Sequence, residues 1–380
     1  MKIGGSLGQI SNKLKSETKN LENKGKKIWN QTLDDIEAIL GHTSNCHASM
    51  DQIRIIAMKR YLEYQTTSLR VMWNSNYITK EVVNEVWKIV SPRLKKGADP
   101  KIFYLKNYNR LESAIEIDPN NFEFADQKHP CLFVHGMDYE SGINSAYNFF
   151  KDFNGRVSLF NHPKYQNHEL YLVSYDSKIT DEYETIIKAA FESLIGVSQD
   201  GDSGPLIQAV LWRELEDRAR ETGDYIVPFL RKLSEHNKQT NNKGFALSHS
   251  LGCFTLASAG QIFIEEDSST QLFALWLCMA AALPANAFSS SGDFELAPFI
   301  AGPTDDKVKY GTSVWYSRLD YVLNIAYTLA TGHLAMGVTG PLEISRNHVY
   351  PTDVTDIVGE QHNTHYFPRL KNTLRNMFEI

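Results

Sequence analysis

The chain has 380 residues, 42% of them hydrophobic, and a formal net charge of -6. That length supports one large domain, or one large and one small, with room for a substantial core. The negative balance excludes a globally positive surface of the kind that attracts nucleic acid. Cys46, Cys131, Cys253 and Cys278 form no CxxC pair, so neither a zinc site nor a redox dithiol is expected, and they read as small buried hydrophobes.

The opening residues, MKIGGSLGQISNKLK, lack the apolar stretch of a signal peptide. The longest apolar run, residues 272–284 (LFALWLCMAAALP), falls short of the roughly 20 residues that cross a bilayer. A soluble cytoplasmic protein is expected, with export by a signal-peptide-independent route left open. Residues 1–30 carry seven lysines against two glutamates. Ile3, Leu7, Ile10, Leu14, Leu21 and Ile28 place an apolar stripe on that basic segment. It reads as a helix that docks on a membrane surface or a protein, or as a solvated helix packed on its own domain. Residues 31–95 continue helical, through 50–73 and 79–90, until Ser91-Pro92 ends the pattern.

After residue 95 short apolar runs alternate with helical stretches. Strands are expected at 130–135, 169–175, 244–247, 271–279, 312–316 and 347–354, and helices over 181–195, 206–233 and 253–264. Such alternation predicts βαβ units and a mostly parallel sheet flanked by helices. Residues 1–95 then form an all-helical N-terminal region and 96–380 the α/β domain. Between the fourth and fifth of these strands, the polar, loop-like stretches Ser289-Ser-Ser-Gly and Pro303-Thr-Asp-Asp mark a segment, residues 284–309, able to cover a site. In a parallel sheet, chemistry collects where the strands end.

Ser248-His249-Ser250-Leu251-Gly252 follows one such strand and opens a helix, the setting a nucleophilic serine at a sharp turn requires. Serine stands at 248 where the motif usually has glycine. The competing reading makes Ser250 a helix N-cap. His135-Gly136-Met137 ends an earlier strand, where glycine admits backbone N–H groups to a developing oxyanion. The N–H groups of Met137 and Leu251 are the candidate donors. A serine hydroxyl needs an adjacent base. Asp320 lies just past the strand at 312–316, and His362 and His365 follow the last strand, in the chain order serine, acid, histidine. Either histidine is a candidate base; three residues apart, they would share one face of a helix. His249, beside the serine, reads as packing under the turn. Asp176, at a strand end, is placed near the site. Asp353 and Asp356 read as surface carboxylates, Trp212, Trp276 and Trp315 as core, and Asp200–Gly204 as a turn rather than a calcium loop.

Together CLFVHG, LSHSLG, SRLDYVL and the H-x-x-H-Y-F tail resemble the α/β-hydrolase superfamily, in its bacterial lipase- and esterase-like branch. The resemblance covers roughly residues 125–380. It implies an α/β-hydrolase fold, hydrolysis of a carboxylic ester through an acyl-serine, a nucleophile at Ser250, an acid at Asp320 and a base at His365, with His362 the alternative. It implies no cofactor or metal, and a small-molecule or lipid ester as substrate. Two other readings stand beside it: a catalytically silent scaffold of the same fold, and a secreted phospholipase effector acting through the basic N-terminal segment.

Overall fold

Apolar runs that show no alternation fit strands covered on both faces. The computed structural model describes residues 80–195, 204–268, 270–302, 311–342, 349–363 and 366–380. It forms such runs into β3 (His129–Val134), β4 (His168–Ser174), β5 (Phe245–His249), β6 (Leu275–Met279) and β7 (Thr312–Tyr316), almost wholly buried. The flanking strands β1 (Lys101–Leu105), β2 (Ala114–Ile117) and β8 (Val349–Asp353) complete one sheet, ordered β2-β1-β4-β3-β5-β6-β7-β8. From β4 through β8 every pairing is parallel, while β1 is antiparallel to both β2 and β4. β2 and β8, at the two edges, are partly exposed and mix polar with apolar residues. The six strands expected from sequence are all present; β1 and β2 were not anticipated.

Helices cover both faces. In register, Leu132 lies beside Tyr171 and Phe133 beside Leu172, so Phe133 and Tyr171 point to opposite sides. Phe133 meets Phe149, Phe150 and Phe153 of α2 (Ile143–Val157), whose own outer neighbour is Phe367 of the C-terminal helix Tyr366–Met377. Tyr171 meets Phe229 of the long helix α4 (Gly204–Thr240) on the other side. The helix α5 (Leu251–Glu266) is buried over nearly its whole circumference, as its uniformly apolar sequence requires. Two further helices are α1 (Lys80–Val90) and α3 (Asp181–Ile195).

The chain divides into two compact units, Met1–Arg93 with Glu182–Val210, and Leu94–Asp181 with Leu211–Ile380. The second holds the sheet. Strand order reverses direction between β3 and β5, because the chain leaves β3 for β4 on one side and returns to β5 on the other. A crevice at the carboxyl ends of those strands is where such sheets bind ligands. This sheet, with helices on both faces and a strand–turn–helix bearing Ser250 at its centre, is the α/β-hydrolase fold.

Some sequence expectations fall outside the described residues: the basic stripe over 1–30, the helices before residue 80, and all of Asp200–Gly204 except Gly204. Among the described residues no helix is long and apolar enough to cross a membrane. The stretch expected as a cover, 284–309, is described to residue 302, and it is anchored to the core by buried side chains while Asn286, Ser290, Ser291 and Asp293 stay exposed. Phe288 packs on Trp276 of β6, Phe294 on Phe254 of α5, and Ile300 is fully buried. Three large apolar side chains are enough to anchor an irregular segment.

Candidate active site

Ser250 sits between β5 and α5 with φ 54° and ψ -122°. A non-glycine residue in that region costs on the order of 1–3 kcal/mol and persists only where its surroundings enforce it. They do so here through the backbone. The Ser250 N–H donates to the Met279 carbonyl at the end of β6 at 2.9 Å. The Ser250 carbonyl accepts from Cys253 at 3.0 Å and from Ala282 at 3.2 Å. The side chain makes no capping bond to the helix, so the N-cap alternative fails.

Tight approach explains two glycines. A Cβ on Gly252 would stand 2.4 Å from the carbonyl oxygens of Val134 and His135, so α5 meets the end of β3 only with glycine there. A Cβ on Gly136 would stand 2.8 Å from the Ser250 Cβ. Gly136→Ala is therefore expected to shift Ser250 and slow labelling of its hydroxyl by a fluorophosphonate probe by about a hundredfold or more, the scale of a misplacement near 1 Å. Circular dichroism should show an intact fold. Ser248, the departure from the usual glycine, is explained too. Its buried hydroxyl accepts from the Trp276 indole at 2.7 Å and donates to Cys253 Sγ at 3.2 Å. The room a glycine would leave is used to satisfy a buried indole N–H.

The Ser250 hydroxyl lies 2.7 Å from His362 Nε2, and His362 Nδ1 lies 2.7 Å from Asp320 Oδ2. All three side chains are buried. The other Asp320 oxygen, Oδ1, accepts from the Leu323 N–H at 3.0 Å, which fixes the carboxylate plane. With Nδ1–H donated to Asp320, Nε2 is left to accept the serine proton.

His362 lies in the loop before the C-terminal helix, not on it, so the expectation that both histidines share a helical face does not hold. His365, the base implied by resemblance, lies outside the described residues; the imidazole beside Ser250 is that of the alternative, His362. Three bonds hold its loop. Ser317 Oγ donates to the Gly359 carbonyl, the Tyr321 N–H to Glu360 at 3.4 Å, and Arg369 Nη1 to Val358 at 2.9 Å. Acid loop and histidine loop are thus tied directly to each other.

Behind this chain, the His249 ring centre lies 5.1 Å from that of His362, between Phe149, Tyr366 and Phe367. Burial first, and then the neighbouring imidazole, push its pKa well below the ordinary value. It is a neutral packing ring, as expected.

Among the described residues no hydrogen-bond acceptor meets the Met137 N–H, and the Leu251 N–H opens α5, where helices leave donors unused. The loop carrying Met137 is stapled by Ser177, a residue with no local motif to single it out. Ser177 Oγ donates to the Gly136 carbonyl at 2.8 Å, its N–H donates to Tyr139 at 2.8 Å, and its carbonyl accepts from Asp138 at 2.9 Å. His135 supports the same loop. Its ring stacks on Tyr175 at 4.6 Å, and burial lowers its pKa to about 4, so it is neutral and can donate from Nδ1 to Gly136 at 2.9 Å.

The Asp176 carboxylate pairs with Arg218 at 3.3 Å. Asp353 pairs with Arg318 at 3.0 Å on the surface. Trp212, Trp276 and Trp315 are buried. Among the described residues no three His, Cys, Asp or Glu side chains cluster as a metal-binding set.

No protein-family model matches the sequence, and no curated protein matches it. Among solved structures the chain is similar to an acylaminoacyl peptidase of Pyrococcus horikoshii, at 11% identity and a TM-score of 0.30. The match covers 76% of this chain and spans 41% of that one, less than half its length.

Proposed function

We propose that the chain is a serine hydrolase that cleaves a carboxylic ester through an acyl-serine intermediate. The observation that carries this reading is the unbroken chain Ser250–His362–Asp320, with 2.7 Å at both links. A silent scaffold has no need to hold a buried hydroxyl on an imidazole, nor to maintain a serine at positive φ.

The roles follow from the contacts. Ser250 Oγ attacks the ester carbonyl carbon while its proton passes to His362 Nε2. The imidazolium so formed is stabilised by Asp320, which also fixes the tautomer. The carbonyl oxygen, now negative, is received by the Met137 and Leu251 N–H groups. The tetrahedral intermediate collapses as the alcohol oxygen leaves with the His362 proton. Water, deprotonated by the same imidazole, then attacks the acyl-serine and releases the acid. No step requires a metal or cofactor.

A fluorophosphonate probe tests the reading directly. It is expected to form one adduct, located on the peptide containing Ser250 by mass spectrometry, and to abolish p-nitrophenyl ester turnover in proportion to labelling. Stoichiometric labelling elsewhere, with Ser250 free, would remove the serine from this role.

A further inference from the structure

A cavity opens at the amino ends of the strands, at the end of the sheet opposite Ser250. His129, His168, Phe245 and Leu275 begin β3, β4, β5 and β6, and all four line it. Its volume is about 240 Å³, enough for a small molecule rather than a drug-sized one. Phe245, Leu275 and Phe378 make much of its wall apolar.

Lys164 and Lys243 supply charge, and they differ. Lys164 is already paired with Glu379 at 2.7 Å. Lys243 is half-buried and meets only the Gln271 amide oxygen, at 3.5 Å; among the described residues no carboxylate reaches it. Burial alone lowers its pKa, with no anion opposing the shift. A partly desolvated ammonium that no described carboxylate reaches is an unfavourable arrangement that an anion relieves. Beside it, His129 stacks on His168 at 5.0 Å, and His129 Nδ1 is bound to the Lys243 carbonyl at 3.2 Å. His168 Nδ1 is buried without a hydrogen-bond partner, and burial followed by the nearby His129 keeps this ring neutral, with a pKa pushed down to about 3.

A cation that no carboxylate reaches among the described residues, beside an apolar hollow, suits a singly charged head with an apolar tail. A phosphate would call for several convergent donors instead. We propose that this cavity binds a linear monocarboxylate of short to medium chain length, its carboxylate on Lys243 Nζ and its alkyl chain against Phe245, Leu275 and Phe378. The proposal does not depend on the chemistry at Ser250.

Titration calorimetry with octanoate, and with octanol as the uncharged comparison, tests it on the full chain. Octanoate is expected to bind, and each added methylene to tighten binding by roughly three- to fourfold until the cavity is full. Lys243→Gln should weaken octanoate by at least about tenfold while leaving octanol within about twofold. Ala274→Phe, which fills the cavity, should abolish both, with p-nitrophenyl ester turnover unchanged in either variant. Absence of octanoate binding to the unaltered protein overturns the proposal. So does equal weakening of both ligands by Lys243→Gln, or octanoate binding that survives Ala274→Phe. Should Ala274→Phe fail to fold, the Lys243→Gln comparison decides alone.

Discussion

Ser250→Ala is expected to lower kcat for a p-nitrophenyl ester by about five to six orders of magnitude, with KM changed little. In the proposed mechanism the hydroxyl is the atom that bonds to the acyl carbon, so without it only the proposed oxyanion donors and substrate binding would act. Those leave a residual rate of roughly 10³–10⁴ over water. Stability should hardly suffer. The removed oxygen meets a single side chain, His362, and the backbone bonds that keep the turn in place are untouched. Alanine at φ 54° carries the same backbone strain as serine. Turnover by the variant within tenfold of the unaltered protein would place the nucleophile elsewhere.

The second large effect separates the histidines. His362→Ala should match Ser250→Ala in loss of kcat, and the double variant should be no slower than either single one, because the two act as a unit. Asp320→Asn should cost about four orders of magnitude, since an amide favours the wrong imidazole tautomer. His365→Ala should retain turnover within a few-fold of the unaltered protein. Inactivity of His365→Ala, with His362→Ala active, would reverse the assignment. Measured side by side with melting temperatures, these variants also separate loss of chemistry from loss of fold.

Much of this arrangement could be read from the chain alone. A run such as Glu169–Tyr175 in the sequence ELYLVSY leaves a strand few alternatives to burial on both faces, and β4 forms there. The motif around Ser250 was legible because its parts are contiguous: strand, turn and helix lie within about twenty residues, and small residues at fixed offsets mark the turn. β1 and β2 were not read. The sequences KIFYL and AIEI are short and mixed in polarity, and their pairing with each other and with β4 supplies what local preference lacks.

The partner of Ser250 was a different kind of problem. Sequence supplied two histidines three residues apart and a rule of chain order that fits either. Which imidazole reaches the hydroxyl depends on where the C-terminal helix begins and on how the loop before it is tied down. The helix begins at Tyr366, which leaves His362 in the loop, and bonds from Ser317, Tyr321 and Arg369 hold that loop in place. These contacts span up to 42 residues and have no local signature. The sequence by itself determined the six strands from β3 to β8 and the serine turn, because burial pattern and turn chemistry are properties of neighbouring residues. The tertiary structure alone decided the histidine at Ser250, the use of Ser248 and the stapling of the Met137 loop by Ser177. Each of those depends on distances between segments far apart in the chain.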